Sequence, residues 1–505
     1  MIKAANHLPI LYYIVSVSFH KIFYFYIIIF RSDVCKFSYR FMKLNTKTQE
    51  LLTYLQRNGP SASGDVVKQF GISRATLMRR VRELGDRVVT LGKARATLLA
   101  ARRDLRTDTP LYQVLENAQL QLAGHLIPLQ DGERTQWLLR PEESPAACFE
   151  GEFKNGLYPD WPWFLEDLRP SGFLGRAFGK RMAKLFSIDT NPENWNGREL
   201  LMTLTRFGSN LPGNFILGDG MALNDFQEEK LKIAKGYYRN NLPQIYPELA
   251  KHAMDENEDF GSSAGGDQPK FTTMVSDAPG ETPRSVIVKF SPHLESPLGQ
   301  RWSDLLHAEH LANQILTKAG FATAKTRIFQ IDRRTYLESE RFDRIVPTGR
   351  RGLVTLRSLD AAYLGLGIGT WADCARKLVE KKWIRGEDYE RIAQLHCFGE
   401  LIANTDMHWG NLSFFFPGQS PYPLAPVYDM LPMRFRPSST GEVRQTRFDP
   451  KLPKPEDQTA WLEMYPHAHD FWKEVSAHPD ISEDFKAIAE AATDSLETVY
   501  RVAIQ

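Results

Sequence analysis

Three polar residues in the last quarter of the chain have side chains that phosphate chemistry requires. Asp406 and Asn411 stand in the stretch NTDMHWGN with the spacing D-x-x-x-x-N, and Asp429 ends the apolar run LAPVYD. A carboxylate can accept a hydroxyl proton, and carboxylate and amide oxygens are hard ligands of the kind that Mg²⁺ binds. The pattern predicts phosphoryl transfer, with Asp406 as the base and Asn411 and Asp429 as metal ligands.

Other segments follow the order of elements in a protein kinase, whose catalytic loop has the same D-x-x-x-x-N spacing. The segment RSVIVKFSP is typical of a strand with Lys289 near its end, and a helix carrying Glu309 follows. In kinases such a strand lysine and helix glutamate form an ion pair. The alternative for Lys289 is an edge-strand lysine that faces water. The strand in TYLESERFDR ends in charges and could serve as a hinge for an adenine edge.

Two further features bear on the site. The segment DFGSSAGGDQPKF, from Asp259 to Phe271, is a glycine-rich loop whose backbone N–H groups could wrap an anion, although it lacks the spacing of a Walker A loop. His408 could serve a zinc site or act as a general base, but no second His or Cys lies at ligand spacing. We expect it instead to brace its loop by hydrogen bonding.

The elements that position these residues are predicted from apolar periodicity. RIAQLHCFGELIANTD carries apolar residues at helical spacing, which predicts a buried helix leading into the polar stretch. The aromatic run after Asn411 predicts a strand, and PLAPVYDM predicts another with Asp429 at its end. A loop between a buried helix and a strand can hold a base and its ligands close together.

Composition bounds the class of protein. The 505 residues are enough for two or more domains, and a hydrophobic content of 42% with 25% charged residues is ordinary for a globular protein. The four cysteines are scattered without a C-x-x-C pair. This argues for a reducing, cytoplasmic compartment and against a disulfide framework or a thiolate zinc site.

The charge is unevenly distributed. Residues 42–106 hold fourteen Lys and Arg against five Asp and Glu, whereas residues 107–505 are net acidic. The sequence of this basic block predicts three helices and a hairpin, with Ser73 capping the third helix. This arrangement resembles a winged helix-turn-helix that binds double-stranded DNA. The alternative is a small helical domain with a solvated basic face. The predicted DNA contacts are Arg74, Arg79 and Arg82 on the third helix and Lys93 and Arg95 on the wing.

The first 41 residues are a hydrophobic extension. Residues 8–30 are long enough to cross a bilayer, but His20 and Lys21 interrupt the run and no small-residue cleavage site follows. We interpret residues 1–41 as upstream sequence translated from an early start, with the fold beginning near Met42. A membrane anchor is the less favoured alternative.

Together these segments resemble the HipA family of serine/threonine protein kinases, the toxins of bacterial type II toxin–antitoxin systems. NTDMHWGN is similar to the family's N-T-D-x-H-x-x-N loop, LAPVYDM to its metal-binding strand end, ERFDR to its hinge, and SSAGGDQPKF to its S-x-A-G-x-Q-x-K loop. The block YPDWPWFLEDLRPSGFLGRAF is similar to the segment before the kinase core. The glycine-rich loop is one residue longer than the family's usual form.

The resemblance implies ATP and Mg²⁺ as cofactors, Asp406 as the catalytic base, Asn411 and Asp429 as metal ligands, and a protein substrate. Ser262, with Ser263 as the alternative, stands where family members phosphorylate themselves. The residues implied in nucleotide binding are Lys289, Glu340, Phe342, Ser263, Ala264, Gly265 and Gly266.

The expected fold is therefore α+β, a winged helix-turn-helix followed by a two-lobed, HipA-like kinase. Residues 42–106 would form the DNA-binding domain, 107–345 the HipA-like N-terminal subdomain and kinase N-lobe, and 346–505 the helical C-lobe. A fused DNA-binding module is typical of the family's YjjJ-like branch and suggests autoregulation without a separate HipB-type antitoxin.

Two rival functions stay open. A small-molecule kinase of the aminoglycoside or choline type also uses D-x-x-x-x-N, but usually with a His two residues before the Asp, where Asn404 stands. A transcription regulator could instead carry a catalytically silent, kinase-like sensor body.

Overall fold

The computed structural model describes residues 44–92, 96–104, 108–232, 237–258, 268–438, 440–444 and 446–505. Its first elements are three helices and a small antiparallel sheet. The helices are α1 (Thr46–Asn58), α2 (Ser63–Phe70) and α3 (Arg74–Leu84), and the strands are β1 (Ser61–Ala62), β2 (Val88–Leu91) and β3 (Leu98–Ala101). The side chains of Asn45 and Ser73 accept hydrogen bonds from backbone N–H groups in the first turns of α1 and α3, which fixes where these helices begin.

The third helix presents two different faces, as its sequence predicts. Leu77, Val81 and Leu84 are buried in the core of this N-terminal block, whereas Arg79 and Arg82 are exposed. Strands β2 and β3 pair as the predicted hairpin. Two predicted DNA contacts, Lys93 and Arg95, lie outside the described residues, as does the whole extension 1–41.

An antiparallel sheet of five strands forms the middle of the chain. Its order is β7-β6-β5-β4-β8, and the hairpin of the N-terminal block packs on it through Val89 and Ala100, which meet Ile127 and Leu129. The strands are β4 (Thr109–Val114), β5 (Leu120–Asp131), β6 (Arg134–Pro141), β7 (Leu157–Tyr158) and β8 (Phe215–Leu217). The accompanying helices are α4 (Gly172–Phe186), α5 (Gly197–Phe207) and α6 (Met221–Lys232).

A second five-stranded sheet has the order β12-β13-β11-β10-β9 and is antiparallel except for the β9–β10 pair. Helix α7 (Leu242–Glu258) packs on one face, and the long helix α8 (Pro297–Lys318) contacts strands of the same sheet. Ser296 caps α8 and Pro297 occupies its first turn, a favourable start for a helix. The strands are β9 (Tyr237–Tyr238), β10 (Lys270–Ser276), β11 (Arg284–Phe290), β12 (Thr326–Ile331) and β13 (Arg334–Glu340).

The remaining part is mostly helical and shares one large apolar core with α8 and the middle sheet, including the buried Trp137, Trp302 and Trp371. Its helices are α9 (Leu356–Tyr363), α10 (Trp371–Glu380), α11 (Gly386–Leu401), α12 (Gln458–Ala477) and α13 (Glu483–Ala503). Short strand pairs join β14 (Arg344–Ile345) to β15 (Gly349–Arg350) and β16 (Leu353–Thr355) to β17 (Ser413–Phe415). The mixture of helices and strands agrees with the predicted α+β class.

One predicted strand is wrong. The segment PLAPVYDM makes only isolated bridges, Phe414 to Leu424 and Thr323 to Val427, and Asp429 has a positive φ of 55°. Pro423 and Pro426 lack the N–H that a continuous ladder needs, so the segment runs as irregular chain. Across the described residues, no helix combines the length and apolarity needed to span a bilayer.

Candidate active site

The ammonium of Lys289 lies among three carboxylate oxygens in the interior of the protein. Its Nζ is 2.7 Å from both Oε1 and Oε2 of Glu309 and 2.6 Å from Oδ1 of Asp429. Lys289 and Glu309 are 4% and 1% exposed, whereas the Asp429 side chain keeps 31% of its surface open. One cation therefore joins a strand, a helix and the Asp429 segment.

The strand pattern explains how a lysine reaches this position. Val286, Val288 and Phe290 alternate along β11 and face the core with α7, so Lys289 points to the opposite side of the sheet. β11 lies inside the sheet between β13 and β10, which excludes the alternative of an edge-strand lysine facing water. The strand lysine and helix glutamate form the ion pair that their order in the sequence predicts.

The carboxylates tune this cluster electrostatically. Burial alone would lower the pKa of Lys289, but Asp429 and Glu309 raise it well above its usual value. Burial opposes the charged form of Asp429 too, yet Lys289 and Lys270 lower the pKa of that carboxyl to about 2. The two lysines thus favour the charged form of the Asp429 carboxyl against the effect of burial.

Lys270 is a second lysine beside this cluster. It is the direct partner of Lys289 in the β10–β11 register, and burial and the charge of Lys289 lower its pKa while Asp429 raises it. Lys270 is the lysine that ends the glycine-rich segment SSAGGDQPKF, and the sequence alone did not predict its place beside Lys289. Two cations on adjacent strands suit an anionic ligand with several phosphate groups.

The loop after α11 holds Asp406 and Asn411 by hydrogen bonds within the loop. The side chain of Asn411 donates to the backbone oxygen of Asp406 at 2.8 Å, and the N–H of Asp406 donates to Oδ1 of Asn404 at 3.0 Å. Asn404 is buried and its Nδ2 lies 3.5 Å from the backbone oxygen of Asp429. This amide links the Asp406 loop to the Asp429 segment, a role that the sequence analysis did not assign.

His408 braces the same loop. Its Nδ1 accepts from the N–H of Gly410 at 3.0 Å, its backbone oxygen accepts from Trp371, and Tyr428 donates to the oxygen of Gly410. His408 does not belong to the His and carboxylate cluster that could hold a metal ion in the described part of the chain. The bracing role agrees with the prediction from the sequence.

The predicted hinge lies where β13 leaves the sheet. Glu340 is the last residue of β13, and its N–H donates to the oxygen of Lys325 at 2.9 Å. The ring of Phe342 lies 5.8 Å from the ring of Tyr428 and 6.3 Å from the ring of Phe415. Tyr428 directly precedes Asp429 in the sequence. The structure thus brings Phe342 to the segment that carries the predicted metal ligand, and Glu340 lies two residues before Phe342 at the end of β13.

An ion cluster that was not predicted from the sequence fixes this hinge. The buried carboxylate of Asp343 accepts from Arg341 at 2.9 and 3.0 Å, from Arg344 at 2.6 Å and from the N–H of Gly213 at 3.0 Å. Burial opposes the charge, but the two guanidinium groups lower the pKa of Asp343 well below its usual range. The only sequence signal was the charged run ERFDR.

Five predicted residues of the glycine-rich loop fall outside the described residues: Ser262, Ser263, Ala264, Gly265 and Gly266. Their contacts stay predictions. Of the other predicted site residues, the structure gathers Lys289, Asp429 and the Asp406 loop around one region and places Glu340 and Phe342 at its border. Asn404 and Lys270 complete that region.

Comparison with known proteins places the chain in a family. Residues 105–226 match the family described as "YjjJ-like toxin, middle domain", and residues 262–499 match "HipA-like C-terminal domain". The chain is 34% identical over 458 residues to Toxin YjjJ of Escherichia coli (strain K12), covering 89% of this chain and 97% of the relative. The chain belongs to the YjjJ-like branch of the HipA family.

Two solved structures resemble this HipA-family protein at lower similarity. HipA of Shewanella oneidensis MR-1, solved with HipB and its operator DNA, is 16% identical with a TM-score of 0.42, covering 67% of this chain and 84% of that one. The Helicobacter pylori proinflammatory kinase CtkA is 17% identical with a TM-score of 0.34, covering 48% and 93%. At these TM-scores neither likeness adds to the assignment, which rests on the sequence relationship.

Proposed function

We propose that this HipA-family protein is an ATP- and Mg²⁺-dependent serine/threonine protein kinase. The observation that carries the proposal is the contact of Lys289 with both Glu309 and Asp429, beside the loop that holds Asp406 and Asn411. A structural core has no need of a buried lysine, two carboxylates and a D-x-x-x-x-N loop together. A phosphotransfer site does.

In this mechanism the protein mainly positions groups and neutralises charge. Asp406 accepts a hydrogen bond from the substrate hydroxyl and takes its proton, while its loop is held by Asn404 and Asn411. Lys289, oriented by Glu309, and Lys270 supply positive charge for the transferred phosphate. Glu340 and Phe342 would flank the adenine.

The residues present fit a magnesium ion. Asp429 offers an ionised, partly open carboxylate already paired with a cation, and Asn411 offers an amide oxygen, since its Nδ2 is engaged by the Asp406 backbone. When bound, the metal offsets the phosphate charge that accumulates during transfer. The remaining work belongs to Asp406, Lys289 and the loop that holds them.

The test is nucleotide-dependent phosphate transfer by the purified full chain. Labelled ATP with Mg²⁺ should label serine or threonine residues of this protein or of added protein, and EDTA should stop transfer until Mg²⁺ is restored. Label that passes only to aminoglycosides or choline would identify the small-molecule kinase. ATP binding without any transfer would favour the silent sensor body.

A second function, DNA binding, is favoured by the N-terminal block. Three helices precede a hairpin, and α3 presents Arg79 and Arg82 on the face opposite its buried apolar residues. We propose that this block is a winged helix-turn-helix that binds double-stranded DNA and lets the protein regulate its own promoter without a separate HipB-type partner. The name of the E. coli relative supports a further proposal, growth inhibition when the protein is overproduced.

A further inference from the structure

A second polar cluster lies on the side of α8 away from the active site. His307 stands two residues before Glu309, and two residues of an α-helix are separated by about 200° around its axis. The two side chains therefore leave α8 in nearly opposite directions. Glu309 meets Lys289, and His307 meets the turn between α12 and α13.

His307 is buried without a hydrogen bond. It is 4% exposed, and neither of its ring nitrogens has a partner among the described residues. A neutral imidazole has one nitrogen that donates a hydrogen bond and one that accepts, and burying both unpaired is costly.

Two further ligand side chains face this ring. The ring centroids of His307 and His478 are 5.0 Å apart, and ligand atoms of His307, His478 and Asp480 all lie within 4.8 Å of one another. His478 caps the end of α12, and its Nδ1 accepts from the N–H of Asp480 at 3.2 Å. Among the described residues, this is the one group of three or more His, Cys, Asp or Glu side chains with such spacing.

The turn is held against α8 independently of these three residues. Ser482 donates to the two carboxylate oxygens of Asp304 from its backbone N–H at 2.9 Å and from its hydroxyl at 2.7 Å. Asp304 lies three residues before His307, so both side chains are on the same face of α8. Ile481 in the same turn is 3% exposed. The cluster is thus built on packed elements rather than on a free loop.

We propose that His307, His478 and Asp480 bind a Zn²⁺ ion. Two imidazole nitrogens and one carboxylate oxygen suit zinc in a tetrahedral site with water in the fourth position. Ligands about 2.0–2.1 Å from zinc lie about 3.4 Å from one another, so binding draws the three groups slightly together. Binding also gives up the 3.2 Å hydrogen bond from Asp480, because a neutral imidazole bound through either nitrogen has no second acceptor.

Zinc binding would affect the active site through α8. A metal between His307 and the α12–α13 turn joins α8 to the C-terminal helical hairpin, and α8 carries the Glu309 that orients Lys289. Zinc would therefore hold the helix in the position that keeps the ion pair formed. The site itself does not depend on kinase activity, since it is defined by metal binding.

The experiment is a metal titration of the full-length protein stripped with a chelator and freed of it. Co²⁺ serves as the spectroscopic probe for a zinc site, and we expect one equivalent to give visible d–d absorption that Zn²⁺ abolishes. His478→Gln and Asp480→Asn alter residues at the surface end of the cluster and should weaken Zn²⁺ binding roughly tenfold or more. His307→Gln should do the same.

His310 provides the matched control one turn along the same helix. Its ring nitrogens already contact Thr326 at 2.8 Å and Gln314 at 2.9 Å, so His310→Gln should leave Zn²⁺ affinity unchanged. Zn²⁺ should raise the thermal unfolding midpoint of the wild type and of His310→Gln but not of His478→Gln. Absence of a tight Co²⁺ or Zn²⁺ equivalent, or unchanged affinity in His478→Gln and Asp480→Asn, would overturn the proposal.

Discussion

Lys289 connects residues that are far apart in sequence, since its two carboxylate partners lie 20 and 140 positions away. Removing the ammonium would leave Glu309, which is 1% exposed, without the cation that it contacts, although Lys270 would still lie close enough to lower the pKa of Glu309. An uncompensated buried charge is among the most destabilising defects a single substitution can create. At the residue scale, the cluster around Lys289, which we propose for catalysis, therefore also stabilises the fold.

The first prediction concerns this lysine. Lys289→Met should lower the free energy of unfolding by about 3–5 kcal/mol, because Glu309 is left buried and unpaired. The double variant Lys289→Met/Glu309→Met should recover part of that loss, since it removes both charges. Denaturant unfolding of the wild type, the two single variants Lys289→Met and Glu309→Met, and the double variant measures the coupling free energy of the pair.

The control is Lys318→Met, on the same helix as Glu309. Lys318 is 68% exposed as a side chain and reaches Glu474 at 3.4 Å, a surface pair worth at most about 1 kcal/mol. If Lys289→Met proved no more harmful than Lys318→Met, the buried ion pair would not have the importance given to it above.

At the scale of elements, a buried ion cluster holds the hinge in addition to the ring contacts of Phe342. The carboxylate of Asp343 accepts hydrogen bonds from Arg341 and Arg344 and from the N–H of Gly213 in the turn after α5. β13 is thereby fixed to the middle part of the chain at the point where it leaves the second sheet. Removing the Asp343 carboxylate should therefore loosen the region that carries Glu340 and Phe342.

The second prediction follows from the pKa of Asp343, which the two arginines hold below its usual range. A depressed carboxyl pKa contributes stability that is complete above the unfolded-state value of about 3.9 and is lost as the pH falls further. Asp343→Asn should therefore lower the thermal midpoint at pH 7, and its difference from the wild type should shrink below about pH 4.

Asp449→Asn is the matched control, because both side chains of the Arg447–Asp449 pair are exposed to solvent. It should change the midpoint little at any pH. A difference between Asp343→Asn and the wild type that stays constant down to pH 3 would show that the carboxylate charge is not what holds the hinge.

The local elements around the site could be predicted from the sequence because each carries its own periodicity. β11 alternates apolar residues so that Lys289 points away from them, and α11 carries a buried apolar face into the Asp406 loop. The order of strand lysine and helix glutamate also predicted their contact correctly.

The rest depends on contacts between distant parts of the chain. Nothing near Asp429 indicates that it meets Lys289, and the prolines before it turned a predicted strand into irregular chain. The link from Asn404 to Asp429 and the reach of Arg341 to the turn at Asn210 arise only after the two regions pack together. Tertiary packing of this kind leaves no periodic signal in the sequence.

At the scale of the whole molecule, the basic N-terminal block is not an isolated appendage. Its hairpin packs on the middle sheet through Val89 and Ala100, and the bond from Gly132 N–H to the Gln56 oxygen ties α1 to the β5–β6 turn. A fragment of the block alone would expose these apolar residues. DNA binding is therefore best measured on the full chain.

The third prediction separates two kinds of DNA contact. Arg79→Ala should reduce discrimination between the protein's own upstream region and scrambled DNA by about 1–3 kcal/mol if the side chain contacts a guanine. Replacing Lys93 and Arg95 should weaken binding to both duplexes and reduce the salt slope by about one for each lost phosphate contact.

Arg385→Ala, at an exposed position far along the chain, serves as the control for net charge. It should leave both properties unchanged. A folded protein without salt-dependent affinity for either duplex would mean that the basic block is only a solvated surface.

The kinase proposal is tested most directly at Asp406. Asp406→Ala should abolish phosphate transfer from ATP while ATP affinity and the thermal midpoint stay close to those of the wild type, because Asp406 is only partly buried and its backbone, not its side chain, holds the loop. The neighbouring exposed Thr405→Ala should transfer phosphate normally. Transfer by Asp406→Ala at the wild-type rate would contradict the assignment of the base and, with it, the proposed mechanism.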